Sequence, residues 1–174
     1  LVALTIMNTN TAGLCGAIVV AIIMQIMYKK LDLTMILNGA LGGLVAVTAG
    51  PDLYDIYTPI LIGSVGGILV VIGVSFFDKL KIDDPVGALS VHLLNGIWGT
   101  VAVGLFASNG DDITLLGQLK GIIVVAIFAF VSSYIILYII NKIMPLRAGN
   151  DEEMQGLDVE ECGIEAYPEF KRAF

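Results

Sequence analysis

An all-α fold, a polytopic bundle of five membrane-spanning helices with a polar tail, is what this sequence predicts, and three observations carry that reading. Hydrophobic residues make up 57% of the chain and charged residues 14%, with a mean hydropathy of +0.90, a balance that belongs to chains whose main solvent is lipid. The apolar residues gather into five segments, near 1–28, 34–50, 59–77, 85–107 and 117–140, each close to or beyond the ~20 residues that cross a ~30 Å hydrocarbon core. The bases sit in alternate connectors, as the positive-inside rule requires of a chain that threads back and forth.

Each segment reads as a helix because a spanning strand would leave its backbone donors and acceptors unpaired in hydrocarbon. The first ends at Lys29 and Lys30. The second, at 17 residues, is the shortest. The third is followed by Lys79 and Lys81, and the fifth by Lys142 and Arg147. The fourth follows Asp84 and Pro85, which predicts an acidic N-cap with proline at the first helical position. The connectors around Asp52–Tyr57 and Ser108–Thr114 hold no Lys or Arg. These positions predict an outside N-terminus and a cytoplasmic C-terminus, with only Lys120, which can snorkel, against the count. Glycines at Gly39, Gly42 and Gly43, at Gly63, Gly66, Gly67 and Gly73, and at Gly96, Gly99 and Gly104 predict close helix packing in lipid.

The net charge of −7 is concentrated at one end: eight of the sixteen acids lie after Ala148. A membrane domain is expected over 1–147 and a cytoplasmic tail over 148–174. Cys15 and Cys162 give neither a disulfide framework nor metal-ligand spacing, so no metal and no cofactor is predicted. No nucleophile with a base partner, phosphate-cradling glycine loop or basic nucleic-acid patch stands out, which argues against an enzyme and against a nucleic-acid partner. Leu1 already lies inside an apolar run, and the chain reads as part of something longer.

His92, the chain's one histidine, falls in the fourth segment. Counted from Pro85 it lies about 10 Å from the cytoplasmic end of an α-helix. Ionisable residues at membrane depth are costly and mark functional sites by default. Helical spacing puts Ala88, Asn95, Gly96 and Gly99 on the same face, a small-sided face with room for a neighbouring helix or a permeating solute. No span interior holds Asp or Glu, so a bare cation would find no counter-charge there. A small solute able to shed its proton avoids that cost, and an imidazole can accept or relay the proton. The alternative is a structural histidine bonded to a carbonyl of an adjacent helix.

At these residues the chain resembles the ammonium transporter family, which unites ammonium transporters, methylammonium permeases and Rhesus proteins. DDPVGALSVH at 83–92 and GIWGTVAVGLFA at 96–107 carry the resemblance. NTNTA at Asn8–Ala12, NGALGGLVAVTAG at Asn38–Gly50 and GLDVEECGIEAYPEF at Gly156–Phe170 support it. The resemblance implies a homotrimer of eleven-helix, inverted-repeat protomers in the plasma or inner membrane, each with a narrow hydrophobic pore where two histidines meet. His92 then corresponds to the second histidine and Ala88 to a pore-wall position one turn earlier, with Asn95, Gly96 and Gly99 packing the pore helix. The chain would supply the last five helices and the tail. The first histidine, the aromatic gate and the outer ammonium-binding residues would lie in a missing N-terminal half.

This sequence departs from the family pattern at Leu93, where glycine is common, and at Gly87, which is Asp in some bacterial relatives. It departs again at Cys162, where His precedes Gly163, and at Glu160, where plant relatives carry a phosphorylatable threonine. The family's tail implies a regulatory clasp, here Gly156, Leu157, Asp158, Gly163 and Tyr167, with a PII-type signalling protein as partner. Transport of ammonium or methylammonium, the former crossing as neutral ammonia, is the expected function. An ammonium sensor of the same fold, signalling through the tail, is the alternative. A packing half of an unrelated secondary transporter ranks last, because no proline-broken helix marks a midplane site.

Overall fold

Lipid tails are as apolar as leucine, so helices that associate in them gain by close backbone approach, and small residues belong inside. The computed structural model describes residues 1–107, 113–166 and 168. It contains α1 (Val2–Tyr28), α2 (Leu33–Val47), α3 (Thr58–Lys79), a π-helical turn (Ala88–Leu93) running directly into α4 (Leu94–Phe106), α5 (Leu115–Ile143), and two short tail helices, α6 (Asn150–Gln155) and α7 (Leu157–Glu160). No strand occurs among the described residues.

Four helical stretches are long and apolar enough to span a membrane: α1, α3, the π-turn with α4, and α5. The second of the five expected segments forms a shorter apolar helix. α2 has 15 residues and so rises about 22 Å, short of a ~30 Å core. It stops at Val47, where Thr48 and Gly50 turn their amides back onto the carbonyls of Val45 and Val47.

The chain divides into two compact units, Leu1–Val125 and Ala126–Phe174. In the first, α1, α2 and α3 pack on one another, and the π-turn and α4 pack on α2 and α3. The buried stripe of α1 is Asn8, Ala12, Gly13, Gly16, Val20 and Met24, a spacing of three to four residues that keeps one helical face inward. Ala12 is fully buried, and its carbonyl is where a Cβ on either Gly43 or Gly63 would collide. Three backbones therefore meet there with no side chain between them. The Gly39 carbonyl stands in the same relation to Gly16, and the Ala46 carbonyl to Gly99. The outer face is the reverse: Leu14, Ile18, Ile22 and Ile26 on α1 are all more than half exposed, which suits a lipid solvent.

The α2–α3 connector is pinned from α1. Asn8, fully buried, donates through Nδ2 to the carbonyls of Pro51 at 2.8 Å and Tyr54 at 3.2 Å. Tyr54 is 1% exposed and packs with Ala12, Ala46, Val47, Ile62, Ala102 and Val103. Its hydroxyl has no partner among the described residues, and burial pushes it up to about 12. Asp55 starts α3 by accepting from the amides of Thr58 at 2.7 Å and Tyr57 at 3.0 Å, bonds that hold its carboxyl below the usual value. At the other end, Asp32 caps α2 through the Met35 amide at 3.0 Å.

In the second unit, the remainder of α5 carries a ladder of rings, Phe130, Tyr134 and Tyr138, stacked at 6.5 and 6.4 Å. Lys142 Nζ sits 4.9 Å over the last ring. No α5 residue is buried. The tail begins with a two-pronged ion pair from Arg147 to Glu153, at 3.0 and 3.2 Å.

Two outcomes follow for unfolding in detergent. Gly63→Ala places a methyl on the Ala12 carbonyl and is expected to cost about 1–3 kcal/mol, whereas Gly121→Ala, with nothing within 4 Å of its Cβ, changes little. The raised Tyr54 value means the folded state holds its proton longer than the unfolded one. Its stabilisation is complete below the ordinary value of 10 and is lost as pH rises towards about 12. Tyr54→Phe should remove that alkaline loss and be neutral or stabilising at pH 7, since the hydroxyl it deletes is unpaired. An unchanged alkaline limb in a pH titration of stability would refute it.

Candidate functional site

The helix that carries His92 begins in an unusual way. The chain turns at Asp84 and Pro85, the Gly87 amide reaching the Asp84 carbonyl at 3.3 Å. It then passes through Gly87 at φ 76° and ψ 30°, a left-handed conformation that glycine adopts without steric cost. Asp84 is thus not the residue next to the helix, and Pro85 stands outside it, which corrects the sequence expectation. Gly87 inserts a loop between them and the helix, and the Asp84 carboxylate reaches across that loop. It accepts from the Leu89 amide at 3.1 Å, the Ser90 amide at 2.9 Å and the Ser90 hydroxyl at 2.8 Å.

The Gly87 carbonyl closes the turn, taking the Val91 amide at 2.9 Å and the His92 amide at 3.2 Å. The second of these is the i→i+5 bond of a π-helix. Ser90 is fully buried, so without Asp84 its amide would be left unpaired at a cost of ~1–3 kcal/mol. Partial burial raises the Asp84 carboxyl. The bonds from the Ser90 and Leu89 amides and the Ser90 hydroxyl outweigh that effect, and the group lies below its ordinary value.

The structure divides the five residues that helical spacing placed together. His92 and Ala88 are exposed, and Gly96 is half-buried with nothing within 4 Å of the position its Cβ would take. Asn95 and Gly99 are buried on the opposite side of that boundary. Gly99 lies against the Ala46 carbonyl of α2, and Asn95 sits between Gly42 of α2 and Gly66 of α3, donating to the Val91 carbonyl at 2.9 Å. The physical reason is the π-turn, whose extra residue per turn changes the phase of Ala88 and His92 relative to α4. His92 also lies four residues from the helix start at Ala88, nearer the end than a start at Pro85 implied.

Among the described residues the imidazole has no hydrogen-bond partner. Trp98 anchors the far half of α4, donating from Nε1 to the Ile62 carbonyl at 3.1 Å and meeting Phe106 edge-on at 6.5 Å. A cavity of about 360 Å³ lies between the ends of α1, α2 and α3, lined by residues that include Met24, Lys30, Asp32 and Asp78. His92 does not line it.

In the tail, Gly156 joins α6 to α7 at φ 103°, and Leu157 opens α7. Asp158 accepts the Ala166 amide at 2.8 Å, and Gly163 takes φ 65° with open space around it. Tyr167 lies outside the described residues. Sequence reasoning did not single out the roles of Asn8, Tyr54 and Ser90. A polar residue inside an apolar stretch was the available signal for Asn8 and Ser90, whereas Tyr54 lies in a connector that reads as solvated.

The family model described as the Ammonium Transporter Family matches residues 1–167. The chain belongs to the ammonium transporter family. A putative ammonium transporter of Synechocystis sp. is 43% identical over 78% of this chain and 30% of its own length. Ammonium transporter Amt2 of Archaeoglobus fulgidus is 33% identical over 94% and 38%. Among solved structures, one named Sensor Amt Protein superposes with a TM-score of 0.83 at 31% identity, over 92% of this chain and 42% of that one. Mep2 of Candida albicans gives 0.80 at 27% identity, over 98% and 43%. The chain therefore spans well under half the length of each of these relatives. The family is one of membrane transporters and not of enzymes, and the apolar helices described above fit it.

Proposed function

We propose that this chain is the C-terminal part of an ammonium transporter protomer and that His92 lines its pore. The observation that carries this reading is the open face formed by Ala88, His92 and Gly96, on a helix whose other side is packed solid with glycine and asparagine. An imidazole left facing hydrocarbon is expensive, so the face calls for a polypeptide or a water-accessible passage beside it. The relatives extend this chain by more than half their length, which supplies ample polypeptide to complete such a passage.

Ammonium recruited on the outer side gives up its proton and crosses as ammonia, because the described helices hold no buried carboxylate to pair with a cation and desolvating the charged form is costly. His92 accepts or relays a proton along that path. In this reading residues 1–147 are the membrane domain, with the N-terminal end of the segment outside. Residues 148–174 are a cytoplasmic regulatory tail, the protomers form a trimer, and a PII-type protein is the tail's candidate partner.

The test is uptake of labelled methylammonium into proteoliposomes by the full-length transporter. His92→Ala is expected to lower the rate by ~10-fold or more or to change its selectivity, the scale of a lost proton-transfer group. Unchanged uptake and selectivity would remove His92 from the pore. Negligible flux in the unaltered protein, with ammonium still bound, would make it a sensor.

A further inference from the structure

We infer that Asp84 and Ser90 are positioning residues for His92: their bond, with those from Asp84 to the Leu89 and Ser90 amides, holds the π-helical turn that sets the direction in which the imidazole leaves the helix. Asp84 engages Leu89 and Ser90 with both carboxylate oxygens, while the Gly87 carbonyl takes the next two amides, those of Val91 and His92. Of these four consecutive amides only that of Val91 makes the regular i→i+4 bond; His92 bonds at i→i+5, and Leu89 and Ser90 bond to the carboxylate. Ser90 is fully buried and faces Gly73 of α3, where a Cβ would lie 3.1 Å from the Ser90 Cα. That contact keeps the clamp from sliding. The left-handed Gly87 fixes its other end, since a Cβ there would meet Val91 at 2.6 Å.

Without the clamp, the shortest relaxation is to the ordinary helical ladder. Removing one residue from the turn rotates everything before the change by about 100° relative to α4, which is anchored by Asn95, Gly99 and Trp98. His92 lies inside that turn, so the rotation carries the ring off the open face it shares with Ala88 and Gly96. Insertions of this type recur where a side chain must be aimed for function. Asp84 and Ser90 touch neither solute nor proton in this account. They act through the placement of His92, and only the consequence for transport rests on the pore reading.

The experiment reads ring placement and transport separately in the full-length transporter. Histidine labelled with ¹³C and ¹⁵N reports the ring, with the His92 signal assigned by its loss in His92→Gln. Asp84→Asn, which cannot accept the Ser90 amide with its second atom, is expected to shift the His92 ring signals and lower the maximal methylammonium rate by ~10-fold with KM little changed. Ser90→Ala, which deletes one bond and keeps both amides, should shift the signals in the same direction by less, and serves if Asp84→Asn does not fold. Thr100→Ala, which removes the bond to the Gly96 carbonyl further along the helix, should leave them in place. His92 signals identical in a folded Asp84→Asn or Ser90→Ala protein overturn the inference, whatever happens to uptake. Shifted signals with unaltered uptake support the positioning and count against the pore role instead.

Discussion

The contact at Ala12 is the constraint on which the rest of this bundle depends. A carbonyl of α1 lies where side chains from α2 and α3 would have to be, so the three helices hold their spacing only while Gly43 and Gly63 stay bare. In water such a contact would be a minor gain beside the burial of leucine and isoleucine. In lipid those large residues gain nothing by turning inward, and backbone approach becomes the main attractive term. Everything further out is hung on this seam: Ala46, one turn along α2 from the contact, receives Gly99 of α4, and Asn95 is held between Gly42 and Gly66. The placement of the histidine-bearing helix is thus inherited from a contact on the other side of the bundle.

Buried polar groups follow the same economy. Most of their bonds go to backbone, the Ser90 hydroxyl on the Asp84 carboxylate being an exception and the Tyr54 hydroxyl having no partner among the described residues. Asn8 ties down a connector through two carbonyls, Asn95 bonds the carbonyl one turn earlier, and Asp84 collects amides. This is the expected pattern where unpaired backbone groups are costly and bare charges costlier. His92 differs from these in being an imidazole on an open face, with no partner among the described residues.

Hydropathy made the helices legible because the solvent dictates them, and α1, α3 and α5 lie where the apolar runs do. It could not tell where α2 ends. The apolar residues of 34–50 continue past Val47, yet Thr48 to Gly50 turn away because the connector is drawn in by Asn8 and Tyr54, contacts some forty residues apart in the chain. The family was legible in a few ordered motifs around His92. The face on which His92 lies was only partly so, since an angle counted at a fixed helical period assumes the period. One left-handed glycine and a carboxylate six residues before Ser90 replaced the first α-helical turn with a wider one. Nothing local in Asp84-Pro85 announces that, because the same pair reads equally well as an ordinary cap.

The stacked rings of Phe130, Tyr134 and Tyr138, closed by the ammonium of Lys142, have an entropic consequence. Rings leaning on one another one turn apart have already surrendered most of their rotamer freedom. This stretch of α5 presents a preordered ridge of flat surfaces ending in a fixed positive charge, and whatever acyl chain or neighbouring surface settles along it does so without having to still the side chains first.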